Sequence, residues 1–205
     1  KRKMMFKLFH FILLISALLF TACSSRHDVP PAHVKAFEEE DRFAIFALYA
    51  KSQRDANTTI SLYNLLYEKS NKLEYRNEEL LMMIQSAQYG RALEQIQAYK
   101  DDLYSGEVDA EMERFKIIAL IGLKQLDKAK TTALSLVEST KAAQDYQQCA
   151  AIYMLESRYE FALKYLQSAY TINYDEKILD KIAIILYVNL NQKAEALSYL
   201  ETHMR

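Results

Sequence analysis

Reactive side chains are few in this chain, and only one stands in a telling context. The 205 residues include two cysteines, Cys23 and Cys149, and four histidines. A nucleophilic thiol needs a neighbouring cation or imidazole to ionise. No histidine lies near Cys149 in sequence, so Cys149 is expected to be a small buried core residue. The chain contains no GxxxxGK(S/T), HExxH or GxSxG pattern and no Cys-x-x-Cys pair. Its many carboxylates sit at helical spacing among Lys and Arg and read as a solvated face. Of the fifteen tyrosines, those at repeat anchor positions read as core rather than as a stacking platform. No catalytic residue, metal ligand or small-molecule substrate is expected, and the chain does not read as an enzyme. Cys23 differs. Lys1, Arg2, Lys3 and Lys7 form a basic start, and the stretch from Phe11 to Ala22 is uncharged. Twelve residues are too few to span about 30 Å of hydrocarbon, which takes about 20. They match the apolar region of a signal peptide, and the small residues Thr21 and Ala22 lead directly into Cys23.

Leu19, Thr21, Ala22 and Cys23 resemble the lipobox of bacterial lipoproteins, with Phe20 where an aliphatic residue is usual. The resemblance implies a signal peptide over residues 1–22 and diacylglycerol on the Cys23 thiol. It also implies cleavage before Cys23 and acylation of the new amino group, with no other cofactor. Several acyl chains, at about 0.8 kcal/mol per buried methylene, make a lasting anchor. Ser24 after the cysteine implies sorting to the outer membrane, on its periplasmic face. Met4 or Met5 is the expected initiator.

Residues 23–35 read as a lipidated tether, with Ser24-Ser25, Pro30-Pro31 and little apolar content. The acidic run Glu38-Glu39-Glu40-Asp41 suits the first turn of a helix, where the dipole favours negative charge. Residues 1–22 carry four of the 26 Lys/Arg and none of the 27 Asp/Glu, so the mature chain is acidic, at −5. No basic stripe for nucleic acid is present. With 51% apolar residues but only 3 Gly, 2 Pro and no Trp, the composition supports a helical core and lacks the turn residues of a β-sandwich.

From Ala36 onward the sequence repeats. Ala92, Ala129, Ala162 and Ala196 each follow a short polar turn and open an amphipathic run, at spacings of 37, 33 and 34. One further period back lands on Thr59. A period near 34 with two helices per unit resembles the tetratricopeptide repeat (TPR). Ala150, Tyr153, Tyr159 and Ala162 fill the family's positions in the fourth unit, and Tyr187 and Ala196 fill two in the fifth. Leu80 and Ile117 stand where a small residue is usual. The resemblance implies an all-α, right-handed TPR-like α-solenoid of about five helix-turn-helix repeats over residues 36–205. Alanines at the helix crossings allow close approach, and Tyr153, Leu120 and Tyr187 are expected to fill the gaps between units.

In this fold the first helix of each pair, helix A, lines a concave groove. The lining is expected to be Leu81, Ile84 and Gln85 in unit 2, and Ile118, Ile121 and Gly122 in unit 3. In unit 4 it is Ala151, Met154 and Leu155, and in unit 5 Ile185, Val188 and Asn189. Such an apolar row suits a partner's helix or extended peptide, with Gly122 admitting a partner backbone. The lipobox, tether and repeats together resemble lipoproteins of three kinds: the repeat subunit of the β-barrel assembly machinery, pilotins that help secretins assemble, and adaptors that gather peptidoglycan hydrolases. The expected function is a lipid-anchored periplasmic scaffold that binds envelope proteins during assembly of a barrel, secretin, pilus or motor complex. The alternative is an envelope enzyme or a small-ligand-binding lipoprotein.

Overall fold

The computed structural model describes residues 32–102 and 109–203. It divides the chain into two compact units, residues 1–41 and 42–205. The signal segment and Cys23 lie outside the described residues. Among those described, all regular structure is helical: α1 (Ala32–Ser52), α2 (Ala56–Ser70), α3 (Leu73–Gln85), α4 (Tyr89–Asp102), α5 (Ala110–Gly122), α6 (Leu126–Thr140), α7 (Ala143–Leu155), α8 (Tyr159–Ile172), α9 (Glu176–Ile184), a π turn over Ile185–Asn189, and α10 (Lys193–His203). Odd-numbered helices are A and even-numbered are B. Helix α1 begins earlier than expected, at Ala32, so the acidic run lies beyond its first turn. A proline pair directly before a helix is tolerated there but not inside it.

The anchors behave as their spacing predicts. Thr59, Ala92, Ala129, Ala162 and Ala196 are all buried, each in the first turn and a half of its B helix. Consecutive units share core. Ala47 of α1 joins Ile60 and Tyr63 of α2, Leu80 and Met83 of α3, and Ala92 and Ile96 of α4. Ile117 and Leu120 of α5 join Ala129, Ala133 and Leu136 of α6, and Cys149 and Ile152 of α7. Ala162, Leu166 and Ala169 of α8 meet Ile178, Ile182 and Ile185. No helix pair buries its apolar face alone, so stability comes from stacking neighbours. Leu80 and Ile117 are fully buried despite their size.

The A–B turns share one left-handed residue, and the first four close in the same way. Arg54, Ala87, Lys124, Ser157 and Asn191 have φ between 55 and 60°, and each lies five residues before its anchor. In this left-handed conformation the next residue's N–H reaches back to the carbonyl five positions earlier: Asp55 to Ala50, Gln88 to Met83, Gln125 to Leu120 and Arg158 to Tyr153. These bonds satisfy carbonyls at the end of helix A.

The fifth unit departs by one residue, and this corrects the expected register. There the closing bond runs from Gln192 N–H to the Leu186 carbonyl, a span of six, and Leu190 N–H bonds the Ile185 carbonyl across the π turn. The extra residue of the 34-residue interval between Ala162 and Ala196 is therefore taken up after helix A has packed. Leu186, not Tyr187, is the equivalent of Tyr153. Leu186 is buried and Tyr187 is exposed, so Tyr187 does not fill the expected gap. Ile185 is fully buried as the equivalent of Ile152, so it is not a groove residue. Ile184, Tyr187 and Val188 occupy the positions of Ala151, Met154 and Leu155.

The expectation of a wholly solvated charged face is also corrected. Arg76, Glu79, Glu113 and Asp145 are buried. Arg114 donates from Nε (2.6 Å) and Nη2 (3.0 Å) to the two carboxylate oxygens of Asp145, and Thr140 Oγ1 also donates to Asp145. Arg76 Nη2 lies 2.5 Å from Asp109 Oδ2, and Asp109 caps α5 through the backbone N–H groups of Glu111 and Met112. Charged pairs thus tie the A helix of unit 2 to unit 3, and that of unit 3 to unit 4.

Candidate functional site

The expected lining residues fall on one side of α3, α5 and α7, but they are not equally open. Leu81 and Ile84 are half-buried and pack against the first core cluster, and Ile121 packs against that of units 3 and 4. Further along, Ile118 and Met154 are 37% exposed and Leu155 57%, and Ala151 is exposed. The A-helix face is therefore half-covered by its own packing in unit 2 and more open across units 3 and 4, where Ile118, Ala151, Met154 and Leu155 are exposed. Leu81, Ile84 and Ile121 serve mainly as its floor. Val188 is exposed but belongs with Ile184 and Tyr187.

Gly122 has a local explanation. A Cβ there would collide with the Tyr89 ring, so the missing side chain makes room for that tyrosine at the start of α4. This replaces the expected role of admitting a partner backbone.

The cleft that sequence reading missed lies between α9 with its π turn and α10. Ala183, Ile184, Tyr187 and Val188 face Lys193, Ala196, Leu197 and Leu200 across about 510 Å³. Lys193 Nζ sits 5.4 Å from the centre of the Tyr187 ring, so the charged side chain of the lining covers an aromatic face. Ile184-x-x-Tyr187-Val188 at helical spacing was the available signal. It was obscured by the register shift.

Among the described residues, the titratable groups with shifted pKa values are explained by burial and by their hydrogen-bond partners. Cys149 is a free, buried cysteine. Burial, with the Asp145 carboxylate adding to it, pushes its thiol up to about 12, so it stays protonated and unreactive. Burial also raises the Glu79 carboxyl, against the opposing hydrogen bond from Tyr99. Hydrogen bonding to Asp145 raises the Arg114 guanidinium and keeps it charged. Among the described residues, no three His, Cys, Asp or Glu side chains converge to hold a metal ion, and no helix is long and apolar enough to cross a membrane. Tyr63, Tyr99, Tyr153 and Tyr170 are buried; of the tyrosines at repeat positions, Tyr153 is core as expected, whereas Tyr187 is exposed.

No family model matches the sequence, and no curated protein matches it. Solved structures do. The fold is similar to that of MamA from Desulfovibrio magneticus RS-1, with a TM-score of 0.60 at 12% identity, covering 80% of this chain and 93% of that one. It is similar to a thermophilic TPR protein from Thermus thermophilus, with a TM-score of 0.60 at 13% identity, covering 80% and 90%. It is also similar to the C-terminal part of a TPR repeat-containing protein from Cytophaga hutchinsonii, with a TM-score of 0.61 at 16% identity, covering 78% and 62%. Together with the buried anchors and the repeated A–B turn, these likenesses give the chain an all-α, TPR-type solenoid fold.

Proposed function

We propose that this protein is a lipid-anchored periplasmic scaffold that docks an envelope protein on the A-helix face of units 3 and 4. The observation that carries the docking is the exposed apolar row Ile118, Ala151, Met154 and Leu155. A soluble surface rarely leaves such a row uncovered without a partner. An amphipathic helix or an extended peptide can cover it without disturbing the stack. The lipid-anchored part of the proposal rests on the basic start, the twelve uncharged residues and the Thr21-Ala22-Cys23 ending. On this reading Cys23 carries the lipid, the membrane is contacted through it, and the protein performs no catalysis.

Two measurements test the two halves separately. Mass spectrometry of the mature amino terminus should find an acylated Cys23, and an unmodified terminus elsewhere refutes the anchor. A photo-crosslinking residue at position 155 should capture an envelope protein in living cells, whereas the same residue at position 135, exposed on α6, should not. Equal labelling from both positions removes the docking face.

A further inference from the structure

We propose that the cavity enclosed by α8, α9 and α10 binds an alkylammonium ion, held between aromatic rings and the carboxylates of Glu176 and Asp180. The cavity measures about 510 Å³, and Tyr170, Tyr174, Glu176, Asp180 and His203 line it together with two leucines. Tyr174, in the turn after α8, packs near-perpendicular to the Tyr170 ring, at 79° with centroids 5.4 Å apart. His203, in the last turn of α10, does the same at 86° and 5.1 Å. Tyr170 is buried, whereas Tyr174 is 74% exposed. Rings set at right angles can meet a cation from more than one side, which suits an alkylated ammonium.

The two carboxylates supply the charge, and the fold does not use them. Glu176 and Asp180 are exposed and stand four residues apart on α9, where like charges repel. The helix dipole accounts for Glu176, in the first turn, but not for Asp180. The nearby lysines are turned elsewhere: Lys181 Nζ donates to Gln147 Oε1 at 3.1 Å, and the Lys177 backbone N–H donates to Asp175, the cap of α9. Among the described residues, neither Glu176 nor Asp180 joins an ion pair or a side-chain hydrogen bond, and no lysine or arginine lines the cavity. The pair is particular to unit 5. In the register set by Ile184 and Ala151, its positions hold Ala143 and Gln147 in unit 4, Ala110 and Arg114 in unit 3, and Leu73 and Asn77 in unit 2. The rings have a counterpart in Tyr67 and Tyr99, again near-perpendicular at 78°. There the Tyr99 hydroxyl donates to buried Glu79, and the amides of Asn64, Asn71 and Gln95 line the space, so the chain pairs its own buried carboxylate. In unit 5 the rings and two unpaired carboxylates face open space instead.

Isothermal titration of the full chain in non-ionic detergent at pH 8, with choline as the probe, tests this. Wild type should bind choline saturably at millimolar concentration, and its uncharged carbon isostere dimethylbutanol at least roughly tenfold more weakly. Tyr174→Ala should weaken choline binding roughly tenfold, whereas Tyr174→Phe should preserve it, since the ring and not the hydroxyl makes the contact. The double variant Glu176→Gln, Asp180→Asn should weaken it by roughly tenfold or more, through lost charge attraction. All three side chains are exposed, so the helical signal of these variants should match wild type. Phosphocholine separates two sources of the same ammonium group. Tighter binding than choline assigns a lipid headgroup, and weaker binding, as its phosphate meets the carboxylates, assigns a free amine. Failure of wild type to bind choline saturably, equal binding of dimethylbutanol, or a double variant that binds like wild type overturns the proposal. Met154→Lys, on the partner-docking face, should leave choline binding unchanged, so the two readings fail independently.

Discussion

Asp145 offers the sharpest test of how the units are held together. Its side chain is fully buried, and it receives two charge-assisted bonds from Arg114 and one from Thr140. Asp145→Ala removes the acceptor and leaves a guanidinium that is only 16% exposed. Breaking a buried pair from one side costs about 3–5 kcal/mol. Arg114 keeps Glu111, 2.9 Å from Nη1, which favours the lower end, about 3 kcal/mol. For a chain of this size that corresponds to a fall in Tm of roughly 6–12 °C. The melt should also broaden, because the pair couples units 3 and 4 rather than stabilising one helix. The double variant Arg114→Met, Asp145→Leu should recover most of the loss, since an apolar pair leaves no charge stranded. Thermal melts followed by circular dichroism decide it. A change below about 2 °C for Asp145→Ala refutes the view that this pair joins the units.

Burial raises the Glu79 carboxyl, so the native state holds that proton more tightly than the unfolded chain and stability falls as pH rises through the raised value. Glu79→Gln should therefore be at least as stable as wild type at pH 7, with its advantage fading below the ordinary glutamate range; urea titrations from pH 4 to 8 check this. Gly122→Ala puts a Cβ against the Tyr89 ring, which must swing aside, so the change should fall short of the roughly 1 kcal/mol gain that helix propensity predicts. In a Tyr89→Ala background the same change should stabilise by up to about 1 kcal/mol, as helix propensity predicts, and a double-mutant cycle reads the difference. Ala87 holds φ at 57°, so Ala87→Gly should stabilise by up to about 1 kcal/mol, measured by urea unfolding. Helix α10 fully buries only Ala196 and should show the weakest amide protection in hydrogen exchange.

The sequence revealed the fold through its small anchors. Ala92, Ala129, Ala162 and Ala196 recur because close helix crossings tolerate little else, and even the backward step to Thr59 lands on a buried residue. The A–B turns were hidden, because their left-handed residues are Arg, Ala, Lys, Ser and Asn rather than the glycine that would mark them. The register of unit 5 could not be read from spacing alone, since a π turn absorbs a residue without changing the helical pattern. The partnership of Arg114 with Asp145 was equally obscure: on a surface helix the same residue types are solvated, and only the packing of α5 on α7 buries them. Which apolar lining residues remain open is likewise a tertiary property. Ile121 and Met154 occupy equivalent positions, yet the first is floor and the second is surface.

The central claim is that units 3 and 4 present an open docking face. Met154→Lys tests it most directly when the melt and partner recovery from solubilised envelopes are measured on the same protein. The account predicts a Tm within about 2 °C of wild type, because Met154 is more than one-third exposed, together with loss of the partner. A collapsed melt would show that Met154 is core, and undiminished recovery would show that the partner binds elsewhere. Either result contradicts the account.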